Sequence, residues 1–264
     1  YQTLFSIGRS TIVLKYPYLR ESFQKNGKKV SEVISETLPN TAILALLAIS
    51  IAIIFGIIFG ILSAVYKDTL LDRVIAIIST FGMSIPSFFS AILFAWLFGF
   101  VLKEYTGLEM TGNLYELDDF GERVHLQLQN LILPALVLGV RPLAVVSQLM
   151  RNSLLEVFNQ EYIKTARAKG LSEKQVLFKH ALKNAMSPVI TAISGWFASL
   201  LAGAVFVEYI FGWNGIGKEI VNALNTLDLP VIMGAVLIIA TIFVLLNILV
   251  DIIYAYLDPK IKLN

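Results

Sequence analysis

Few side chains in this sequence could do chemistry of their own. Arg141 stands in an apolar stretch between Pro134 and Pro142, and Asn247 and Asp251 lie four residues apart in another. A helix would place those last two on one face. Polar and ionisable groups among apolar neighbours need partners, and they commonly line a path for solutes or ions. For Asn247 and Asp251 a hydrogen-bonding cluster between helices is the preferred reading. For Arg141 the path is preferred, with Asp251 or a carbonyl freed at a broken helix as its counter-group. Enzyme chemistry finds little support. Cysteine is absent, which excludes disulfides, thiolate metal sites and cysteine nucleophiles. His125 and His180 are isolated, and no Ser–His pair, HExxH string or paired intramembrane aspartates appear. Residues 212–219, GWNGIGKE, fit GxxxxGK, the start of a phosphate-binding loop. They lack the Ser or Thr that would hold magnesium and follow an apolar run instead of a strand, so a tight turn is expected.

The elements that must position these groups are apolar. Hydrophobic residues make up 56% of the chain and charged residues 15%, with a mean hydropathy of +0.73, whereas soluble domains carry about 25% charged residues. The net charge of +2 is too small to argue for a nucleic-acid partner. A transmembrane helix needs about 20 mostly apolar residues, and five stretches qualify: about 41–66, 73–102, 131–150, 186–211 and 231–257. Pro86 in the second and Pro134 and Pro142 in the third predict kinks or unwound turns. Gly56 and Gly60 form a GxxxG helix-contact motif.

Charge sets the orientation. Lys67, Arg73, Arg151, Lys164, Arg167, Lys169, Lys174, Lys179, Lys183, Lys260 and Lys262 fall in loops that would all face the cytoplasm, including the tail 258–264. Loop 103–130, with Glu104, Glu109, Glu116, Asp118, Asp119 and Glu122, is acidic and would face outward, as would 212–230. Residues 1–40 then lie outside despite Arg9, Lys15, Arg20, Lys25, Lys28 and Lys29. That placement is easier if an earlier helix sets the topology, so a sixth, N-terminal span before Tyr1 is expected. Val30, Val33, Ile34 and Leu38 keep helical spacing and predict a short interfacial helix that runs into the first span.

Segment 151–185 is the most informative. Residues 161–190, EYIKTARAKGLSEKQVLFKHALKNAMSPVI, are polar, basic and helix-prone, yet they sit between two membrane-length runs. Tyr162–Lys169 holds good helix formers, Gly170 breaks the run, and Ser172 with Lys174 and Gln175 restarts it as an N-cap does. Val176, Leu177, Ala181 and Leu182 leave an apolar edge beside a basic one. The residues alone leave open a solvated basic loop or a helix–glycine–helix element that docks in a partner.

The string TARAKGLSEKQVLFKHALKNA resembles the cytoplasmic coupling loop of permeases in binding-protein-dependent ATP-binding-cassette (ABC) importers, in the branch that carries peptides and nickel. Ala166 and Gly170 fall on its small-residue and glycine positions, and Lys183 stands where other branches place proline. The resemblance extends along the chain. Leu38-Pro39-Asn40-Thr41 is similar to an LPxT helix entrance, and Ser84-Ile85-Pro86-Ser87-Phe88 to a proline-containing break. Residues 207–217 are similar to a VExxFxxPGxG turn, with Asn214 where proline is usual. Asn247, Asp251, Tyr254, Asp258 and Pro259 match an NxxxDxxYxxxDP ending.

What the resemblance implies is an all-α, polytopic type I ABC importer transmembrane domain, with five spans here and a sixth before them. Such a chain is a non-enzymatic permease subunit of the bacterial or archaeal inner membrane. It pairs with a second homologous permease, two cytoplasmic ABC ATPases and an extracytoplasmic solute-binding protein. ATP and magnesium belong to the ATPases, and no cofactor or metal is expected on this chain. The coupling loop implied comprises Tyr162, Thr165, Ala166, Arg167, Ala168, Lys169, Gly170, Leu171, Val176, His180, Ala181 and Asn184. The translocation path or polar cluster comprises Ser84, Pro86, Arg141, Asn247 and Asp251. Cargo is expected to be a di- or oligopeptide, with nickel or another small solute as the alternative. A secondary transporter or channel is the reading from another class; it calls for repeats and midplane relays, and no repeat between halves is found.

Overall fold

The computed structural model describes residues 2–7, 10–14, 18–117 and 123–257, with backbone alone at 2–7, 10–14, Ala198, 201–203, Asp251 and 253–257. Strands β1 (Gln2–Ile7) and β2 (Ser10–Leu14) pair antiparallel. Helix α1 runs unbroken from Val30 to Val65. At about 1.5 Å per residue it is far longer than a bilayer core of about 30 Å, so the interfacial helix and the first span are one rod. Pro39 sits in its N-terminal third. Helix α2 (Leu70–Ser84) and α3 (Ser87–Trp96) are bent by 111° to one another about Ile85-Pro86. The prolyl ring excludes Ile85 from helical conformation, and Ile85 is extended, with ψ 130°. A π-helical turn over Leu97–Val101 leads into the short α4 (Lys103–Thr106). Strands β3 (Tyr115–Leu117) and β4 (Val124–Leu126) pair antiparallel.

Helix α5 (Ile132–Phe158) is the central rod. It passes Pro142 without a break, where a kink or unwound turn was expected, and continues past 151, where the polar loop was expected to begin. The polar segment is itself helical: α6 (Glu161–Ala168), α7 (Glu173–Gln175) and a π-helical turn over Val176–Ala181 lead directly into α8 (Leu182–Gly203). The fourth expected span is divided at Ala204 into α8 and α9 (Val205–Phe211). Helices α10 (Ile216–Asn225) and α11 (Leu229–Leu257) complete the chain. Among the described residues three helices are long and apolar enough to cross a membrane, or four if the bent α2–α3 pair counts as one span.

The seam between α1 and α5 organises the bundle. Ala48, Ala52, Gly56, Gly60 and Ala64 recur every fourth residue on α1 and are all buried. Small side chains let the backbones approach closely, which is how helices gain contact where lipid offers no hydrophobic drive. A Cβ on Gly56 would stand 2.7 Å from Val146 Cγ1, and one on Gly60 would stand 2.5 Å from Met150 Cβ and 2.7 Å from the Ser147 carbonyl. From the other side, a Cβ on Gly139 would meet the Ala48 carbonyl at 2.9 Å.

Two polar anchors hold the ends. At the end carrying the basic segment, Asp72 on α2 takes a bidentate ion pair from Arg151 on α5, at 2.8 Å for both Nε–Oδ1 and Nη2–Oδ2. At the opposite end, residues 18–29 fold over the α10–α11 turn. Ser22 Oγ and the Phe23 amide donate to the Asp228 carboxylate, and Lys25 pairs with Glu219 at 2.7 Å. Burial alone would raise the Asp228 pKa. The hydrogen bonds from Ser22, Phe23, Gln24 and Val231 outweigh it, so this carboxyl titrates below the usual range.

Two outcomes follow from these contacts. Gly60→Val should force α1 from α5 and cost about 1–3 kcal/mol, the usual range for overpacking; thermal unfolding in detergent, with Gly195→Ala in open space as control, measures it. Because the folded Asp228 pKa is depressed, the clamp's stabilisation is complete above about pH 4, the ordinary aspartate value. It is lost as pH falls through the lowered folded pKa. The protection factors of the Phe23 and Gln24 amides, relative to free amides at the same pH, should therefore fall in acid for the wild type and already be low at pH 7 in Asp228→Asn.

Candidate functional site

At the basic end, α6 leaves α5 after a turn at Asn159–Gln160 and closes in a Schellman motif. The Gly170 amide donates to the Arg167 carbonyl at 2.9 Å and the Leu171 amide to the Ala166 carbonyl at 3.4 Å. Gly170 has φ +83°, a conformation that glycine takes without steric cost, and a Cβ there would meet nothing within 4 Å. The constraint is therefore on the backbone. Ser172 then caps α7: its Oγ accepts from the Gln175 amide at 3.4 Å, and Gln175 Oε1 accepts from the Ser172 amide at 3.0 Å.

One face of this element is welded to the bundle. Ile163, Ala166, Val176 and Ala181 are buried in one cluster with Ala64, Val146, Met150 and Leu154. Arg167 lies 5.7 Å above the Phe158 ring and makes a bidentate pair with Glu173 (2.9 and 3.1 Å) across Gly170. Asn184 Nδ2 donates to Tyr162 Oη at 2.7 Å, which ties the start of α6 to the start of α8. A hollow of about 300 Å³ opens among Ala64, Phe158, Arg167, Glu173, Lys174 and Leu177. The other face is open. Thr165, Ala168, Lys169, Lys174, Lys179 and Lys183 are exposed, His180 is half-buried, and Phe178 shows 61% of its surface. The open face thus combines one large exposed aromatic with four exposed lysines. All twelve coupling-loop residues named from the sequence fall within this one element or at its junction with α8.

The residues named for the path do not converge. Arg141 is exposed on α5 and makes no hydrogen bond or ion pair among the described residues, so no broken-helix carbonyl satisfies it. Ser84 Oγ donates to the Thr80 carbonyl and Asn247 Nδ2 to the Phe243 carbonyl, each at 2.8 Å within its own helix. A cluster between helices is thus not formed by Asn247. Pro86 is exposed beside the bend, and the Asp251 side chain lies outside the described residues. The structure instead shows two open stripes that sequence reading missed. Arg141, Val145, Gln148 and Asn152 run along α5 at half-buried or exposed positions, and Ser187, Thr191, Gly195 and Ser199 are exposed on α8 at every fourth residue. The regular spacing of small polar residues through an apolar run was the available signal.

The opposite end contains a buried node that sequence motifs marked without explaining. Glu208 is fully buried on α9, where its Oε2 accepts from the Gly217 amide at 2.7 Å and the Lys218 amide at 3.4 Å. Thr41 Oγ1 accepts from the Ile216 amide at 2.9 Å. Together they satisfy the first three free amides of α10. Trp213 Nε1 donates to the Asn40 carbonyl at 3.1 Å, and Lys218 Nζ folds back to the Gly212 carbonyl at 2.8 Å. The string resembling a phosphate-binding loop is a turn whose anion position is filled by the protein's own carboxylate.

Residues 56–263 match the family model described as "Binding-protein-dependent transport system inner membrane component". The chain is 38% identical over 213 residues to the dipeptide transport system permease protein of Alkalihalophilus pseudofirmus, covering 76% of this chain and 64% of that one. It is 49% identical over 133 residues to the protein of the same description from Escherichia coli K12, covering 50% of this chain and 39% of that one. The chain thus spans less than two thirds of the length of these curated relatives. Among solved structures, an inward-facing methionine ABC transporter superposes with a TM-score of 0.62 at 16% identity, over 84% of this chain and 96% of that one. An amino acid ABC transporter superposes with a TM-score of 0.63 at 13% identity, over 84% and 93%. At such identities the likeness speaks for the fold alone.

The capping node gives a direct expectation. Thr41→Val should cost about 0.5–2 kcal/mol, the range for loss of an N-cap, and speed hydrogen exchange at Ile216 without altering the basic end. Unchanged exchange across Ile216–Lys218 in both Thr41→Val and Glu208→Ala would contradict the assignment.

Proposed function

This chain belongs to the family of binding-protein-dependent transport system inner membrane components, and from that premise we propose that it is a permease subunit of an ATP-driven importer of di- or oligopeptides. It is a multi-pass membrane protein with the helical fold of type I ABC transporter membrane subunits. On this reading the basic end faces the cytoplasm, in keeping with the placement of Lys and Arg. Residues 18–29 and α10 face outward, towards a solute-binding protein. A second, homologous permease completes the path against the open stripes of α5 and α8. The chain hydrolyses nothing, and ATP is bound by two separate ATPase subunits. Peptide cargo is favoured over nickel because the relatives are described as dipeptide transport permeases.

The observation that carries the proposal is the two-faced helix–glycine–helix element. Its inner face is continuous with the core of α1 and α5, and its outer face presents Phe178 and lysines. An ATPase closing on ATP would push on the outer face. The shared core would carry that displacement into α5 and α8 as a two-state domain motion.

Gly170→Val tests this. Valine at φ +83° is strained by about 1–3 kcal/mol, and the strain falls on the element and not on the spans. Insertion should be retained while ATPase attachment or the coupling of hydrolysis to uptake is lost. Ala166→Asp should do the same by burying a carboxylate in the cluster. Arg141→Ala should leave attachment intact and act on passage. Pull-down, ATPase rate and peptide uptake of reconstituted complexes separate these effects. Wild-type uptake by Gly170→Val would overturn the proposal.

A further inference from the structure

The Asp72–Arg151 pair sits where three elements meet. Asp72 is in the first turn of α2, almost fully buried, and both of its oxygens are engaged. Arg151 holds one with Nε and the other with Nη2. Ser63, buried near the end of α1, donates to Oδ1, and the Asp68 amide donates to Oδ2 at 3.0 Å. The Asp68 backbone is itself left-handed, with φ +64°, in the turn that joins α1 to α2. Arg151 stands on α5 one residue beyond Met150, whose side chain is part of the cluster that holds Ile163, Ala166 and Val176. The fork is thus a direct polar bond between the rod that carries the helix–glycine–helix element and the start of α2. That helix leads without interruption to the 111° bend at Ile85-Pro86.

A buried fork of this kind resists extension and rotation, because two parallel hydrogen bonds fix distance and angle together. Breaking it leaves an uncompensated charge, so it either stays made or the two elements part altogether. Apolar packing beside it has no such directionality. On α2 only Asp72 and Ser79 are buried; Leu70, Val74, Ile77, Ile78 and Phe81 are exposed, and Ile75, Gly82 and Met83 are half-buried, a Cβ on Gly82 coming within 2.9 Å of Val140 Cγ1 on α5. The polar joint ties the start of α2 to α5, and the close approach of Gly82 to Val140 holds the far end of α2 against the same rod.

We infer that Asp72 and Arg151, braced by Ser63, form a rigid joint that makes the broken α2–α3 span move as one body with the basic end of α5. The two residues are positioning residues: they touch no cargo and transmit displacement of the docking element to the bend beside Ser84 and Pro86. The inference rests on the transport reading above for its functional consequence, while the rigidity of the joint stands on its own geometry.

The test uses the assembled complex in lipid nanodiscs. The chain has no cysteine, so Lys67→Cys and Glu156→Cys, both exposed, place two spin labels across the joint. Pulsed dipolar spectroscopy should give one narrow distance, the same with and without trapped nucleotide. In Asp72→Asn that distance should broaden or become nucleotide-dependent, and peptide imported per ATP hydrolysed should fall about 2- to 30-fold, the span for loss of one coupling contact. Exchanging the charges, Asp72→Arg with Arg151→Asp, should narrow the distance again and recover part of the loss. If Asp72→Asn does not accumulate, Arg151→Lys keeps the charge and removes the fork, and should show the same broadening. A wild-type distance that changes with nucleotide, or single variants with wild-type distance and ATP economy, would overturn the inference. A wild-type complex that imports nothing while keeping a narrow distance would refute the transport reading and leave the joint standing.

Discussion

Helices in a bilayer gain nothing by hiding apolar side chains from lipid, so what joins them must be close backbone approach and polar contact. In this chain the first is concentrated in the α1–α5 seam, where Ala48, Ala52, Gly56, Gly60 and Ala64 admit Val146, Ser147 and Met150 to the α1 backbone. The basic half of the bundle is hung on that seam, while α10 and α11 pack in a separate cluster against Val30, Val33 and Ile34. Helix α8 packs against both rods, and the helix–glycine–helix element shares their core through Ile163, Ala166, Val176 and Ala181. Widening the seam by one methyl group would displace every one of these attachments.

Polar contact then finishes each end in a different way. The basic end uses charge, with Asp72–Arg151 inside the bundle and Arg167–Glu173 across the bend at Gly170. The opposite end adds buried capping to its exposed Lys25–Glu219 pair, with Thr41 and Glu208 on the amides of α10 and Asp228 holding residues 22–24. Capping fixes local geometry and suits a platform. Directional ion pairs between long rods suit transmission of movement. The two ends therefore differ in mechanics as well as in sign of charge.

The sequence made the rods, the bend at Pro86 and the glycine turn legible because each has a local signature: an apolar run, a proline, a glycine flanked by helix formers and an N-cap. It misled at Pro142, since a proline need not break a helix whose neighbours bury it on all sides. The polar segment read as helix–glycine–helix or as a solvated loop, and the residues alone did not choose between them; that α5 runs on to Phe158 and that Ile163, Ala166, Val176 and Ala181 turn into the core are facts of tertiary packing. Arg151 registered only as one more inward cation, and Asp72 not at all, because their bond spans 79 residues. Thr41 and Glu208 were visible as parts of motifs, but that they serve one helix terminus is a fact of tertiary structure.

The central claim is that the outer face of the helix–glycine–helix element docks on a separate ATP-binding subunit. Phe178, the most exposed large apolar side chain of that face, is the position to interrogate. Replacing it with the photoreactive p-benzoylphenylalanine and irradiating intact membranes should give a covalent adduct between this chain and a cytoplasmic ATPase subunit, identified by mass spectrometry. Adducts formed only with lipid, or with a protein on the outer side of the membrane, would contradict the account.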